Sequence, residues 1–183
     1  MSTEELQHHY PEISRATLVE VDVVDNGEHL GSFGDECVDF VVACHVLEHC
    51  EDPIAALGSW VRIVRSGGVV FLAVPNKDLT FDRHRPITRW DHVLRDWTDG
   101  PKWSRASHYR EWVELVETTL REDAQRRKAR ELMETHYSIH FHVWSPNAFH
   151  RFLNNAVGVF DDAFALSAFV RNGDETLVVL RVN

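Results

Sequence analysis

Two histidines flank a glutamate in the segment His45-Val46-Leu47-Glu48-His49. Within a helix, this H-x-x-E-H spacing lets both imidazoles bind one Zn²⁺ while the glutamate activates a water molecule for hydrolysis. The segment instead directly follows the apolar run Val38–Ala43, and no third ligand is evident in the sequence. Histidines that hydrogen-bond at a strand end are therefore the simpler interpretation, and we expect no stoichiometric zinc. The functional alternative is a general base for a substrate hydroxyl, at His45 or at His49.

Charged and imidazole side chains recur further along the chain. Asp82, Arg83 and Arg85 follow a second apolar run, and such a cluster can hold a polar or anionic substrate. A salt-bridged loop is an equally good interpretation of the same three residues. His140 and His142 share one side of an alternating stretch. With no third ligand evident, we interpret these two histidines as substrate contacts or as a half-exposed polar face rather than as a metal site.

Apolar runs and turn residues predict the elements that position these side chains. Three strands are predicted, over Leu18–Val24, Val38–Ala43 and Val69–Val74. Between the last two, Asp52 and Pro53 are typical of a helix start, and the apolar spacing predicts a helix over 53–65 that Ser66-Gly67-Gly68 ends. A strand–helix–strand unit of this kind normally makes a right-handed parallel crossover, so we expect the strands at 38–43 and 69–74 to be adjacent and parallel.

The remainder of the chain predicts a helical insert and a terminal hairpin. One helix is expected to begin after Thr88, and a longer one to cover about 107–135. Ser145-Pro146 starts another helix, and Asn172-Gly173 joins two terminal strands over Ala163–Val170 and Thr176–Val182. The sequence thus predicts a single α/β domain over 1–183 with a helical insert at about 88–136.

The composition narrows the classes of function. The chain has 183 residues, of which 44% are hydrophobic and 26% charged, as expected of one folded domain. Its 19 Lys and Arg against 29 Asp and Glu give a net charge of −10, which argues against a nucleic-acid-binding protein. No apolar run approaches the ~20 residues that cross a membrane. Three cysteines without a CxxC pair indicate reduced thiols, so we expect a cytoplasmic protein.

The order of elements and several tracts resemble a known family. The tracts are DECVDFVVACHVLEHCEDPIAAL, RIVRSGGVVFLAVP, THYSIHFHVW and RNGDETLVVLRV. They resemble the class I S-adenosylmethionine (SAM)-dependent methyltransferases, type 11 family, from the third strand of that family onward. The resemblance implies an α/β, Rossmann-like sheet with SAM as cofactor. It also implies methyl transfer to a hydroxyl group of a small molecule or glycan.

The resemblance also implies which residues contact the cofactor. Asp25, Asn26 and Gly27 stand where the family recognises the adenine, although a plain turn explains the same residues equally well. Ala43 and Cys44 would line the methionine pocket at the carboxyl end of a strand.

One departure from the family affects the cofactor. The family binds SAM at a glycine-rich loop, and no G-x-G precedes Leu18. We therefore expect an N-terminally truncated sheet that binds SAM weakly or not at all. The strand Leu18–Val24 is expected to slide beside Val38–Ala43 or, alternatively, to pair with a second copy in a homodimer. Two other functions remain open: a degenerate methyltransferase fold that acts as a binding module, and a histidine-based metal-dependent hydrolase.

Overall fold

The computed structural model describes Val19, residues 21–117 and residues 119–183. These residues contain one four-stranded sheet, in the order β1-β2-β4-β3. The strands are β1 (Val38–Cys44), β2 (Val64–Pro75), β3 (Phe164–Asn172) and β4 (Glu175–Val182). The helices are α1 (Pro53–Ile63), α2 (Trp90–Asp99), α3 (Lys102–Leu115), α4 (Glu122–Glu134) and α5 (Pro146–Val159). No helix among these residues has the length and apolar character needed to cross a membrane.

The β1–α1–β2 unit forms as predicted. β1 and β2 are adjacent and parallel, with Phe40 opposite Val69 and Ala43 opposite Leu72. The Asp52 carboxylate accepts a hydrogen bond from the Ala55 amide at 2.9 Å and so caps α1. The helix ends at Ile63, two residues earlier than predicted, because β2 already begins at Val64. The glycine pair expected to end the helix therefore lies within the strand, where it accommodates an irregular register with β1.

The predicted strand at Leu18–Val24 is not observed where the chain is described. Leu18 and Glu20 lie outside the described residues, and Val21–Val24 belong to no strand. The valines at 21, 23 and 24 are between 42% and 64% exposed, so they have no surface on which to bury an apolar face. The expectation that this segment slides beside β1 is wrong for the described residues. An alternating pattern yields a strand only when a neighbouring strand pairs with it.

The helix predicted over 107–135 is two helices. α3 ends at Leu115 and α4 begins at Glu122, and the turn between them folds α4 back against α3. This packing forms a second apolar core from Tyr109, Val113, Ala129, Leu132, Ile139 and Phe141. A continuous helix would leave the apolar residues of its second half exposed, so burial favours the break. Thr88 also differs from its predicted role as a helix cap, because its hydroxyl accepts a hydrogen bond from the Val143 amide.

The terminal elements follow the prediction. The Ser145 hydroxyl accepts a hydrogen bond from the Ala148 amide and caps α5. This helix buries Phe149, Phe152 and Leu153 in the main core. β3 and β4 are antiparallel, and Gly173 in their turn has a φ of +62°, which glycine adopts without strain.

Candidate active site

An extended segment, residues 139–144, crosses the carboxyl ends of β1 and β2, and we name it the crossing segment. The amides of Phe141 and His142 donate to the Glu48 carbonyl just after β1, at 2.7 and 3.2 Å. The Lys77 amide after β2 donates to the Trp144 carbonyl at 3.0 Å. The sequence predicted an alternating stretch here, but the segment joins the sheet only through one isolated bridge, Asn76 to Trp144. It carries His140 to the edge where open α/β sheets bind their ligands.

Asp82 orients His140. Nδ1 of His140 lies 2.6 Å from Oδ2 of Asp82, and Arg85 donates to Oδ1 of the same carboxylate at 2.9 Å. Burial alone would raise the pKa of Asp82, but the hydrogen bonds from His140 and Arg85 outweigh burial and lower it. The carboxylate is therefore ionised at neutral pH, and it fixes the proton of His140 on Nδ1. In the neutral ring, Nε2 of His140 is then the nitrogen with the lone pair.

The Arg85 guanidinium donates hydrogen bonds to four partners. Besides Asp82, it donates to Glu111 at 2.9 Å and to the carbonyls of His140 and Phe141 at 2.7 and 3.3 Å. Only 2% of its surface is exposed. This arrangement matches the salt-bridged interpretation of Arg85. Arg83, by contrast, is exposed beside the site.

His49 is a second imidazole with a defined tautomer. Its Nδ1 lies 3.0 Å from the Ile139 carbonyl and 2.9 Å from the Ser138 hydroxyl. Because a carbonyl only accepts, Nδ1 carries the proton and Nε2 has the lone pair. Burial, and next the neighbouring His140, lower the pKa of His49, so the ring is neutral at neutral pH. The rings of His49 and His140 meet edge to face, with centroids 4.7 Å apart.

Glu48 lies beside the two imidazoles, and one ligand atom each of Glu48, His49 and His140 lie within 4.8 Å of one another. The residue is 1% exposed, and neither carboxylate oxygen has a hydrogen-bond partner among the described residues. Burial raises the pKa of Glu48. Its nearest ionisable contact is Nδ1 of His45, at 3.6 Å. The raised pKa favours the protonated carboxyl group at this buried position.

The H-x-x-E-H segment does not form the helix that a hydrolase of this type needs. Leu47–His49 is a short 3₁₀ turn, and His45 precedes it in a left-handed conformation with a φ of +54°. Nε2 of His45 lies 3.0 Å from the Glu175 carboxylate, whereas His49 contacts Ile139 and Ser138. The two histidines therefore face different partners.

The residues predicted to hold the cofactor lie around the end of β1. The Gly27 carbonyl accepts from the Trp60 ring N–H at 2.8 Å, and a Cβ built at Gly27 would lie 4.0 Å from Val46. Asp25 is exposed, and its two oxygens accept the Asn26 and Ser32 amides at 2.7 Å each. Ala43 is buried, whereas Cys44 is exposed. The turn at 25–27 thus lies beside the chain that leaves β1.

His142 does not share the environment of His140. The sequence predicted a half-exposed polar face, but His142 is completely buried and contacts the Glu51 carbonyl at 3.1 Å. It faces His92, Asp96 and His108 of the helical insert. Burial lowers the pKa of His142, and burial together with His92 lowers the pKa of His108 to about 4. These three insert residues were not identified from the sequence, although the i, i+4 spacing of His92 and Asp96 places them on one helix face.

Comparison with known proteins bears on the family resemblance and on the fold. Residues 3–72 match the family model described as a methyltransferase domain, of type 11. The predicted resemblance is confirmed. A SAM-dependent methyltransferase from Thermotoga maritima superposes with a TM-score of 0.51 at 12% identity, covering 98% of this chain and 70% of that one. At this identity the likeness shows the fold, and it confirms the predicted α/β, Rossmann-like methyltransferase fold class.

Other solved structures are similar at a lower score. A SAM-dependent methyltransferase from Aquifex aeolicus has a TM-score of 0.48 at 11% identity, with 98% of this chain and 64% of that chain covered. A complex between the Haloferax volcanii Trm112 methyltransferase activator and a methyltransferase has a TM-score of 0.48 at 14% identity, with 90% and 64% covered. The chain spans less than two thirds of the length of the first solved structures it matches, at 64% and 65%. No curated protein matches the sequence.

Proposed function

We propose that this chain forms the acceptor-binding and proton-accepting side of a SAM-dependent methyltransferase site. The observation that carries the proposal is the pair His49 and His140 at the carboxyl ends of β1 and β2. Each imidazole has Nδ1 occupied by an acceptor, Ile139 for one and Asp82 for the other, so in the neutral ring Nε2 is the nitrogen with the lone pair. SAM, when bound, supplies an electrophilic methyl group.

His49 is the better general base of the candidates. Its lowered pKa keeps the ring neutral, so Nε2 can accept the proton of an acceptor hydroxyl as the oxygen becomes nucleophilic. His140, held by ionised Asp82, can share or relay that proton. His45 is the alternative base, and its contact with Glu175 makes it less available.

The surroundings favour a ring-bearing acceptor such as a small organic molecule or a glycan. The Phe81 side chain is 53% exposed, and its ring lies 4.8 Å from that of His140. An aromatic face beside an imidazole can pack against the apolar face of a sugar while the hydroxyl reaches the base. Arg83 is exposed on the same turn and can contact a polar substituent of the acceptor.

Asp25–Gly27 and Cys44 are the residues proposed to contact SAM. The Asp25 oxygens accept one backbone N–H each, which leaves lone pairs for an exocyclic amine. Ala43 and Cys44 end β1 beside this turn, where the methionine part would lie. These contacts fit the adenine and methionine ends of the cofactor. The glycine-rich loop has no counterpart in the sequence, so the expected dissociation constant of the chain alone is beyond millimolar.

Label transfer from methyl-tritiated SAM at millimolar concentration tests the proposal, with monosaccharides and phenols as acceptors. We expect transfer that falls about 10²–10⁴-fold in His49→Asn, the usual contribution of a general base. His150→Asn is the matched control, because Asn154 is the one hydrogen-bond partner of this α5 side chain in the described part of the protein. Transfer unaffected by His49→Asn would contradict the assigned base. No transfer to any acceptor would favour the degenerate binding module.

The proposal includes a homodimer through β1. Among the described residues this strand is an outer strand of the sheet, and Phe40 and Val42 are 60% and 59% exposed. Unpaired outer strands with exposed apolar residues pair readily with another chain. Light scattering after gel filtration should give a dimer mass that Val42→Lys lowers to that of the monomer; a wild-type monomer would contradict the dimer.

A further inference from the structure

Three imidazoles and one carboxylate meet where α2, α3 and the crossing segment pack together. Nε2 of His92 lies 3.0 Å from Nε2 of His108 and 3.2 Å from Oδ2 of Asp96. Nε2 of His142 lies 3.7 Å from the same carboxylate oxygen. One ligand atom from each residue lies within 4.8 Å of all the others. We name this group the insert cluster.

The insert cluster contains buried polar atoms without partners. Asp96 is 0% exposed, and its Oδ1 accepts from the Ser104 hydroxyl at 2.6 Å. Its Oδ2 has no hydrogen-bond partner in the described part of the chain, and neither does Nδ1 of the completely buried His142. Among the same residues, Asp96 forms ion-pair contacts only with histidines. A buried carboxylate in this position requires a positive charge beside it.

We propose that the insert cluster binds one Zn²⁺, with His92, Asp96, His108 and His142 as its ligands. Imidazole nitrogen and carboxylate oxygen are ordinary zinc ligands, at about 2.0–2.2 Å from the metal. Tetrahedral ligands at that distance lie about 3.3–3.5 Å from one another, close to the separations of Nε2 of His92 from Nε2 of His108 and from Oδ2 of Asp96, at 3.0 and 3.2 Å. A zinc ion at the centre supplies the charge that Asp96 lacks.

The surroundings of the ligands support this assignment. Nε2 of His142 contacts the Glu51 carbonyl, so Nδ1, which has no partner among the described residues, is the nitrogen left for the metal, and Ser104 holds the Asp96 carboxylate. Ligating histidines typically donate their second N–H to a carbonyl or carboxylate, and ligating carboxylates are hydrogen-bonded in turn. A surface pocket of about 190 Å³ is lined in part by His92, His108 and Glu111. Two of the four ligands, His92 and His108, therefore border an opening to the surface.

Four protein ligands leave no open position on zinc, so the proposed role is structural rather than catalytic. The ion would join α2 and α3 to the crossing segment, two residues from His140. It would thereby restrain the segment that carries His140. The sequence predicted no zinc at the H-x-x-E-H segment, which contributes none of these four ligands, and no metal site at His140 and His142, whereas the proposal makes His142 a ligand.

Elemental analysis and thermal unfolding of the full chain test the proposal, with zinc chloride as the probe. After loading and dialysis we expect about one zinc per chain. With zinc at 100 times its dissociation constant, Tm should rise by about 5–10 °C over the chelator-treated protein. Cobalt chloride should give the intense visible bands of a four-coordinate site.

Variants separate this site from adventitious binding by the other histidines. His92→Gln changes a half-buried ligand, and we expect at least a 10-fold loss of zinc affinity with an unchanged far-ultraviolet spectrum. His150→Gln should bind as the wild type does. The proposal is overturned if wild-type protein retains no zinc or if His92→Gln retains all of it. It is also overturned if Glu48→Gln, which alters the group Glu48, His49 and His140, abolishes binding while His92→Gln does not.

Discussion

The Asp82 carboxylate lies 2.6 Å from Nδ1 of His140, although 58 residues of chain separate them. Arg85 stabilises both residues of this contact, because it donates hydrogen bonds to the Asp82 carboxylate and to the His140 carbonyl. The three residues attach the crossing segment to the turn that follows β2. The same contacts set the tautomer of the imidazole and the position of the segment.

Replacing Arg85 with methionine should destabilise the fold by about 3–5 kcal/mol, because the buried Asp82 carboxylate loses its cation. Urea unfolding at pH 7 measures this loss. Arg89→Met is the control, since Arg89 and Asp91 form an exposed pair that solvent screens, and its loss should change stability little. Equal losses in the two variants would contradict the structural importance of the Arg85 contacts.

Asp82→Asn should show a pH-dependent loss of stability. The pKa of Asp82 is lowered in the folded protein, so its ionised form stabilises the fold above the unfolded value of 3.8. That stabilisation is lost as the pH falls through the folded pKa. The difference in unfolding free energy between wild type and variant should thus be constant from pH 7 to 5 and decrease at pH 3. A difference that grows on acidification would rule out a lowered pKa.

The three cysteines should differ in reactivity. Cys37 and Cys44 are exposed, whereas Cys50 is buried and burial raises the pKa of its thiol. Since the thiolate is the reactive form, iodoacetamide should add two groups per chain to the native protein and three after unfolding. Mass spectrometry counts the adducts. Rapid modification of Cys50 in native protein would show that its surroundings open readily.

Gly68→Ala should destabilise the β1–β2 pair by about 1–3 kcal/mol, the usual cost of overpacking. A Cβ at this position would approach the Asp39 and Arg65 carbonyl oxygens at 2.5 and 2.9 Å. Gly31→Ala is the matched control, because no atom lies within 4 Å of the added Cβ, and it should change stability by about 0.5 kcal/mol or less. Thermal unfolding of both variants measures the difference.

Elements with strong local signals were predictable from the sequence. The apolar runs of β1 and β2, the caps Asp52 and Ser145 and the Asn172-Gly173 turn each act within a few residues. Their hydrogen bonds and backbone angles depend little on residues that are distant in the sequence. The β1–α1–β2 unit, α5 and the terminal hairpin consequently form as the patterns indicate.

The composition of the candidate site depends instead on which segments, distant in the sequence, come into contact in the folded chain. The alternation in 137–144 places His140 and His142 on one side of a strand, but among the described residues the crossing segment pairs only through the Asn76–Trp144 bridge, which does not keep that geometry. Its amides instead bond to the Glu48 carbonyl, so His140 reaches Asp82 while His142 is buried among His92, Asp96 and His108. The valines at 21–24 likewise follow a strand pattern without a partner. Sequence alone determined the residue types and the local elements; burial and long-range hydrogen bonding, available only in the folded chain, decided which side chains share a site.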